Sequence, residues 1–489
     1  MLTAENFDHC ILLNHIEEVC EESNKPYPSS FEKCSSNQVY SVYLALKTNY
    51  HFKFKDYDLG EQERKKELER ICEQVPASCF LDLWAELHRL IKHGKTIAWE
   101  VTTGIEVVFE LLQNEPDKFI VCAEGYMRQD TPGCIGSSSI VDNMVELYGV
   151  IETEKVVSAI KFKMRPQWLA RIYDHVLADE VTEELECKLL SLKTMPSDER
   201  YPISFETAIR VNEVRPGFIV AYLKMLNEVS QGQPWFMTRF LRPLTGESKP
   251  FISEFVASFA GHMDVLYQAY RYAIRGEEVF DYKGNLFERL IAEDLSFIDC
   301  VVEELLNNRS RSMHNDLLDV LWKQDAYLEC ITVAFEALRK YSPSSYSAKH
   351  LAAHLLSENN KNDEANKQRR EWIEAYIAEN SMDRDCMRFL FDIICDCPYD
   401  QFLSAVLCFC RCNPDYSDFC EIPLSPSSFS WSGSEVPLIE KQITFLTELS
   451  EALKGFQFIE HRARLSECIQ WKQEYKQRVL MKEFLEKDE

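Results

Sequence analysis

The fold class predicted for this chain is all-α, an irregular α-solenoid or helical array of degenerate HEAT- or TPR-like pairs that ends in a helical hairpin. Three observations carry that prediction. Apolar residues recur at three- and four-residue steps through nearly the whole sequence, strict alternation is nearly absent, and glycine is scarce, with 15 beside 18 prolines in 489 residues. Sheet-rich and nucleotide-binding folds spend glycine on turns and phosphate loops, so its shortage favours helices joined by short polar links. Hydrophobic residues at 46% and aromatics at 12% can fill cores, which excludes wholesale disorder. A chain of this length makes roughly two to four packed units or one extended array.

Taken in order, Ala4–Glu22 reads as an amphipathic helix with Phe7, Ile11, Leu12, His15, Ile16 and Val19 on one side. The polar stretch Glu22–Ser36 reads as a loop, and Tyr40–Lys47 is ambiguous between helix and strand. Helices follow at Glu61–Cys72, Phe80–His93 (stopped by Gly94), Ile97–Gln113 and Lys118–Met127. Asp130–Ser139 (DTPGCIGSSS) is rich in turn residues and closes a first region, 1–130. A second region, 140–246, holds shorter helices at Ile140–Tyr148, Glu152–Phe162, Gln167–Val176, Glu183–Leu192, Phe205–Asn212 and Phe218–Val229; Pro234–Gly246 and the link to Pro250 read as its soft boundary. In a third region, 250–420, longer helices are expected at Phe251–Arg275, Leu286–Asn308 and Asp316–Tyr341, the last bent near Asp325. Ala348–Ser357, Glu371–Asn380, Asp385–Cys395 and Tyr399–Cys412 complete it. No fixed repeat length is present.

The last region, 421–489, is the most legible. An irregular segment interrupted by Pro423, Pro426, Gly433 and Pro437 carries Trp431 as a large apolar anchor. Ser434 is placed to cap the helix that follows, with Pro437 in its first turn. Val436, Ile439, Ile443, Leu446, Leu449 and Leu453 form one stripe up to Gly455, and Leu465, Cys468, Ile469, Tyr475, Val479 and Phe484 form the next. The basic residues from Arg462 to Lys482 fall among glutamates on the outer faces. Phe429, Trp431, Phe458 and Trp471 are the expected anchors of structure or interaction.

The formal net charge of −26 argues against duplex nucleic acid and anionic membranes as partners. Mixed-sign blocks such as Glu61–Arg70 read as solvated helix faces. Eighteen cysteines are diluted along the chain, and Met1–Cys20 lacks the pattern of a secretory leader, so a cytoplasmic, reducing location is expected. No apolar run reaches the roughly 20 residues of a membrane span.

Motifs with chemical content are weak. Gly94-Lys95-Thr96 ends like a phosphate loop, but Arg89 occupies the position of the required first glycine and a helix precedes it. Gly133–Ser139 could cradle an anion at a helix start, or simply be a serine-capped loop. Cys395, Cys397, Cys408, Cys410, Cys412 and Cys420 form the densest thiol group, without paired metal-ligand spacing and among core-like neighbours. His350 and His354 lie one helical turn apart but lack the adjacent glutamate of a zinc-protease motif. No catalytic residue, cofactor site or metal site is assigned, and an enzyme is not expected.

Ser430–Gly455 (SWSGSEVPLIEKQITFLTELSEALKG) and Phe458–Lys476 (FIEHRARLSECIQWKQEYK), with a fainter echo in Asp319–Glu329 (DVLWKQDAYLE), resemble the C-terminal helical regions of large bacterial STAND-NTPase or phage-defence proteins. That resemblance covers about an eighth of the chain and implies a sensor or scaffold whose nucleotide hydrolysis or effector chemistry lies on another domain or chain. The expected function is therefore non-catalytic protein–protein recognition or scaffolding, with an NTPase- or nuclease-bearing protein as partner. The alternative is a helical, metal-dependent effector or enzyme that uses the Cys395–Cys420 group or His350 and His354.

Overall fold

Short polar side chains start the helices. In the computed structural model, which describes residues 42–43, 45–46, 56–92, 99–129, 137–276, 280–307, 315–341, 345–358, 362–424 and 433–486, the Asp56 carboxylate accepts from the Leu59 N–H at 3.0 Å and begins the helix Tyr57–Gln74. Thr182, Ser204, Ser248, Ser345, Asn362, Asp383 and Asp415 cap later helices in the same way. Every α- or 3-10 element so begun belongs to an all-α array, and no strand occurs among the described residues.

The chain packs as two compact units, Met1–Gly232 and Gln233–Glu489. In the first, the helices are α1 (Tyr57–Gln74), α2 (Ala77–Lys92), α3 (Trp99–Leu112), α4 (Pro116–Gln129), α5 (Ser137–Ala159), α6 (Arg165–Tyr173), α7 (Glu183–Leu189), α8 (Phe205–Val214) and α9 (Phe218–Ser230). Helix α1 packs on α3, α2 on α4 and α3 on α5, so alternate helices stack in two staggered layers. Between those layers Trp84, Phe109, Phe119 and Tyr126 interlock edge-to-face and stacked, with ring centroids 5.2–5.8 Å apart. The Trp84 indole N–H reaches the Cys122 carbonyl at 3.2 Å, so the buried donor is satisfied.

The second unit repeats the rule with α10 (Trp235–Gly246), α11 (Lys249–Ala257), α12 (Met263–Arg275), α13 (Asn285–Glu293), α14 (Phe297–Asn307), a 3-10 segment (Asn315–Lys323) and α15 (Tyr327–Tyr341). It continues through α16 (Tyr346–Leu356), α17 (Asp363–Asn380), α18 (Arg384–Ile394), α19 (Tyr399–Cys412), α20 (Tyr416–Phe419), α21 (Val436–Ala452) and α22 (Ile459–Glu486). Helix α10 packs on α12, α11 on α13, α12 on α14, α16 on α18, α17 on α19 and α19 on α21. Packing on the next helix but one is the geometry of stacked helical pairs.

Several expectations are corrected. Pro234–Gly246 is no link: Trp235–Gly246 is helical and buries Phe236, Met237, Phe240, Leu241 and Leu244, a 3.6-residue pattern that the flanking prolines and glycines disguised. The three long helices of the third region are each divided. Gly261, at φ 82°, separates α11 from α12. The Asp294 carboxylate accepts from both the N–H and the hydroxyl of Ser296 and separates α13 from α14. The stretch before Asp325 winds as 3-10 helix. By contrast, the break expected between Tyr148 and Glu152 is present, because Gly149 takes φ 77°, ψ 167° inside α5. The segment Ala4–Ser36, the phosphate-loop echo at 93–96 and residues 130–136 of the turn-rich stretch lie outside the described residues.

Candidate interaction surface

The C-terminal hairpin is assembled from local rules. Ser434 Oγ accepts from the Val436 N–H at 3.2 Å and Pro437 sits in the opening turn of α21. The helix ends at Ala452, and Gly455 at φ 114° turns the chain. Arg462 reaches back from α22 and donates to the carbonyls of Leu453 and Gly455 at 2.6 and 3.0 Å, which satisfies the end of α21 and holds the turn shut.

The two helices then run antiparallel. Lys476 pairs with Glu440 at 2.6 Å, Lys472 donates to Gln442, the Tyr475 hydroxyl donates to Glu435, and Ser434 donates to Glu483 at 2.9 Å. Ile439, Phe445, Leu446 and Leu449 of α21, Leu453 at its C-terminal end and Leu465 of α22 are buried. Phe445 stacks on Tyr399 and Phe402 of α19 at 5.5 and 5.3 Å, tying the hairpin to the rest of its unit. At the turn, His461 is fully buried among Tyr416, Phe419 and Phe458, and neither of its ring nitrogens has a hydrogen-bond partner among the described residues. Burial lowers the imidazole pKa, against the weaker upward pull of Glu460 and Asp415.

Among the charged and amide side chains exposed on α22, such as Glu474 and Arg478, stand several large apolar ones. Trp471 is 52% exposed, Met481 66%, Phe484 65% and Leu485 61%. The Trp471 ring lies parallel to that of Tyr475, 4° apart at 5.5 Å, with Lys472 over Trp471 and the Arg478 guanidinium over Tyr475 at 5.7 Å. Tryptophan, tyrosine and arginine are the residues that dominate binding energy at protein interfaces.

The expected anchors separate here. Phe458 is buried and belongs to the core around His461, while Trp471 is on the surface. Phe429 and Trp431 lie outside the described residues. Phe484, expected inside the seam, is exposed, because three- and four-residue spacing identifies a stripe but not whether a partner covers its last turns. Met481, Glu474 and the burial of His461 and Gln442 were missed. Spacing Trp471, Arg478 and Leu485 by seven was the available signal for an outward stripe.

Cys395, Cys397, Cys408 and Cys410 are buried, and burial pushes the Cys397 and Cys410 thiols up to about 12 and Cys408 to about 11. His350 is exposed beside Tyr346, while His354 stands 3.6 Å from Asp319. Among the described residues no group of three or more histidines, cysteines or carboxylates is placed to hold a metal. A cleft of about 540 Å³ between α15, α16 and α18 is walled by Arg339, Lys340, Lys349 and Arg388. Each of those cations already meets a carboxylate, Glu336, Asp299, Asp392 and Glu421 respectively, at 2.7–3.3 Å.

In the first unit Asp142 takes Arg171 bidentately at 2.9 Å and meets His175 at 2.6 Å. The guanidinium and imidazole hydrogen bonds lower the Asp142 pKa against the desolvation that is its largest single influence. The pairing of residues 33 positions apart carries no local motif and was not legible in the sequence. Among the described residues no nucleophile is bonded to this pair: Thr207 donates instead to Asp174. It reads as a polar clamp between α5 and the end of α6.

No protein-family model matches the chain, and no curated protein matches it. No helix among the described residues is long and apolar enough to cross a membrane.

Proposed function

We propose that this chain is a non-catalytic helical-array protein that recognises or scaffolds another protein through the outward face of α22. The observation that supports the reading is the exposed Trp471, Met481, Phe484 and Leu485 on a helix whose inner face is already occupied by α21. The resemblance of Ser430–Lys476 to the C-terminal regions of bacterial STAND-NTPase and defence proteins extends it to a sensor role in anti-phage defence, acting in the cytoplasm beside an NTPase- or nuclease-bearing chain. The charge-compensated cleft and the buried thiols favour no enzymatic reading.

The test is affinity capture from the native host with the full chain and with Trp471→Ala/Leu485→Asp, followed by mass spectrometry. A protein bound by the wild type and lost with the double substitution supports the reading. An identical set of retained proteins for both overturns it.

A further inference from the structure

The outward stripe of α22 is complementary to itself. Trp471, Glu474, Arg478 and Met481 follow one another at three, four and three residues, so at 100° per residue they fall within one narrow sector of the helix surface. All four side chains are exposed. Glu474 is met by Gln470 at 3.1 Å, and Arg478 lies over Tyr475; among the described residues neither has an ion-pair partner, although Glu474 and Arg478 are one turn apart on the same helix.

We infer that the occupant of this stripe is a second copy of the chain, its α22 docked antiparallel across a two-fold axis. The inference rests on the same exposed face as the recognition reading above and assigns that face a second copy as its occupant. In the register centred between Tyr475 and Gln477, Trp471 of one copy faces Met481 of the other, and Glu474 of one faces Arg478 of the other. The two-fold makes each pairing occur twice. This is the layering of an antiparallel coiled coil, with two apolar layers flanking two ion pairs. Charge complementarity decides the orientation, because a parallel pair in register sets Glu474 against Glu474 and Arg478 against Arg478, and like charges in contact are unfavourable. A pairing through one helix face is expected to bury less than the roughly 1,200 Å² total of a standard interface, so the dimer is expected to be weak, with a Kd on the order of micromolar.

Sedimentation velocity of the full chain from about 1 to 100 µM tests this, with circular dichroism confirming that each variant is folded. The wild type is expected to shift from monomer toward dimer across that range. Glu474→Arg and Arg478→Glu should each raise the Kd at least about tenfold, and the double exchange Glu474→Arg/Arg478→Glu should restore association, since it inverts both charges of each pair. A wild type that stays monomeric throughout, or a double exchange no better than its parents, overturns the pairing. A monomer that still captures a host protein through Trp471 would remove the second copy and leave the recognition reading standing; a dimer that captures none would do the reverse.

Discussion

The imidazole of His461 lies 4.6 Å from the ring of Phe419, centroid to centroid, in a pocket where neither ring nitrogen finds a hydrogen bond among the described residues. Tyr416 and Phe458 complete the cage at 5.6 and 5.2 Å. Charged groups around it are Glu460 on its own helix and Asp415 at the start of α20, with the Arg464 guanidinium over the Phe419 ring at 6.0 Å. A neutral imidazole fits such a site and an imidazolium does not. With the folded pKa below the ordinary 6.5, the unfolded chain takes the proton first, so this group's contribution is complete above pH 6.5 and is lost as pH falls below it. The difference in urea midpoint between wild type and His461→Phe should therefore change between pH 7.5 and 5, with the wild type losing more stability on acidification. Parallel pH profiles would contradict the assignment.

Glu304, 2% exposed, holds two arginines one turn apart: Arg271 Nε at 2.8 Å and Arg275 Nε and Nη2 at 2.6 and 2.7 Å. Glu304→Ala leaves the Arg275 guanidinium without its carboxylate between α12 and α14 and leaves Arg271 only the half-exposed Glu303, at 3.1 Å. The expected cost is about 3 kcal/mol, at the low end for a broken buried pair because Arg275 is 41% exposed. Urea unfolding at pH 7 measures it, and a loss under about 1 kcal/mol would place the network among solvated pairs.

Two tryptophans should behave oppositely. Trp84, 1% exposed and ringed by Phe80, Phe109 and Tyr126, should cost about 3–5 kcal/mol on substitution by alanine. Trp471→Ala, at an exposed site, should change the stability of the monomer by less than about 1 kcal/mol and act on binding instead. Thermal unfolding of both variants at low concentration checks the contrast.

Gly149 has open space around it, with nothing within 4 Å of where a Cβ would stand, yet its φ of 77° disfavours an L side chain. Gly149→Ala should therefore destabilise through the backbone alone, by about 1–3 kcal/mol. A neutral result would mean that the kink in α5 straightens without loss.

Much of the architecture was legible in the chain. Tyr399–Cys412 begins and ends where the sequence places it. The hairpin was readable from Pro437, Gly455 and two apolar stripes. Legibility failed where a residue's fate depends on a distant partner. Gln442, which lies between the stripe residues Ile439 and Leu446, is 2% exposed and accepts from Lys472 of the facing helix. Asp142 and His175 meet only because α5 and α6 pack together. Trp431 and Trp471 read alike as anchors, yet Trp471 is exposed and only its helical periodicity, compared with the seam, tells which side it takes.

The sequence by itself determined the class of fold, most helix positions, and the stops at Gly149 and Gly455, because periodicity, caps and positive-φ glycines act within a few residues. Only the tertiary structure decided which apolar faces are covered. It buried His461 and Phe458, exposed Trp471 and Phe484, and set alternate helices against one another, since burial is a property of pairs of surfaces brought together and a single helix carries only one of them.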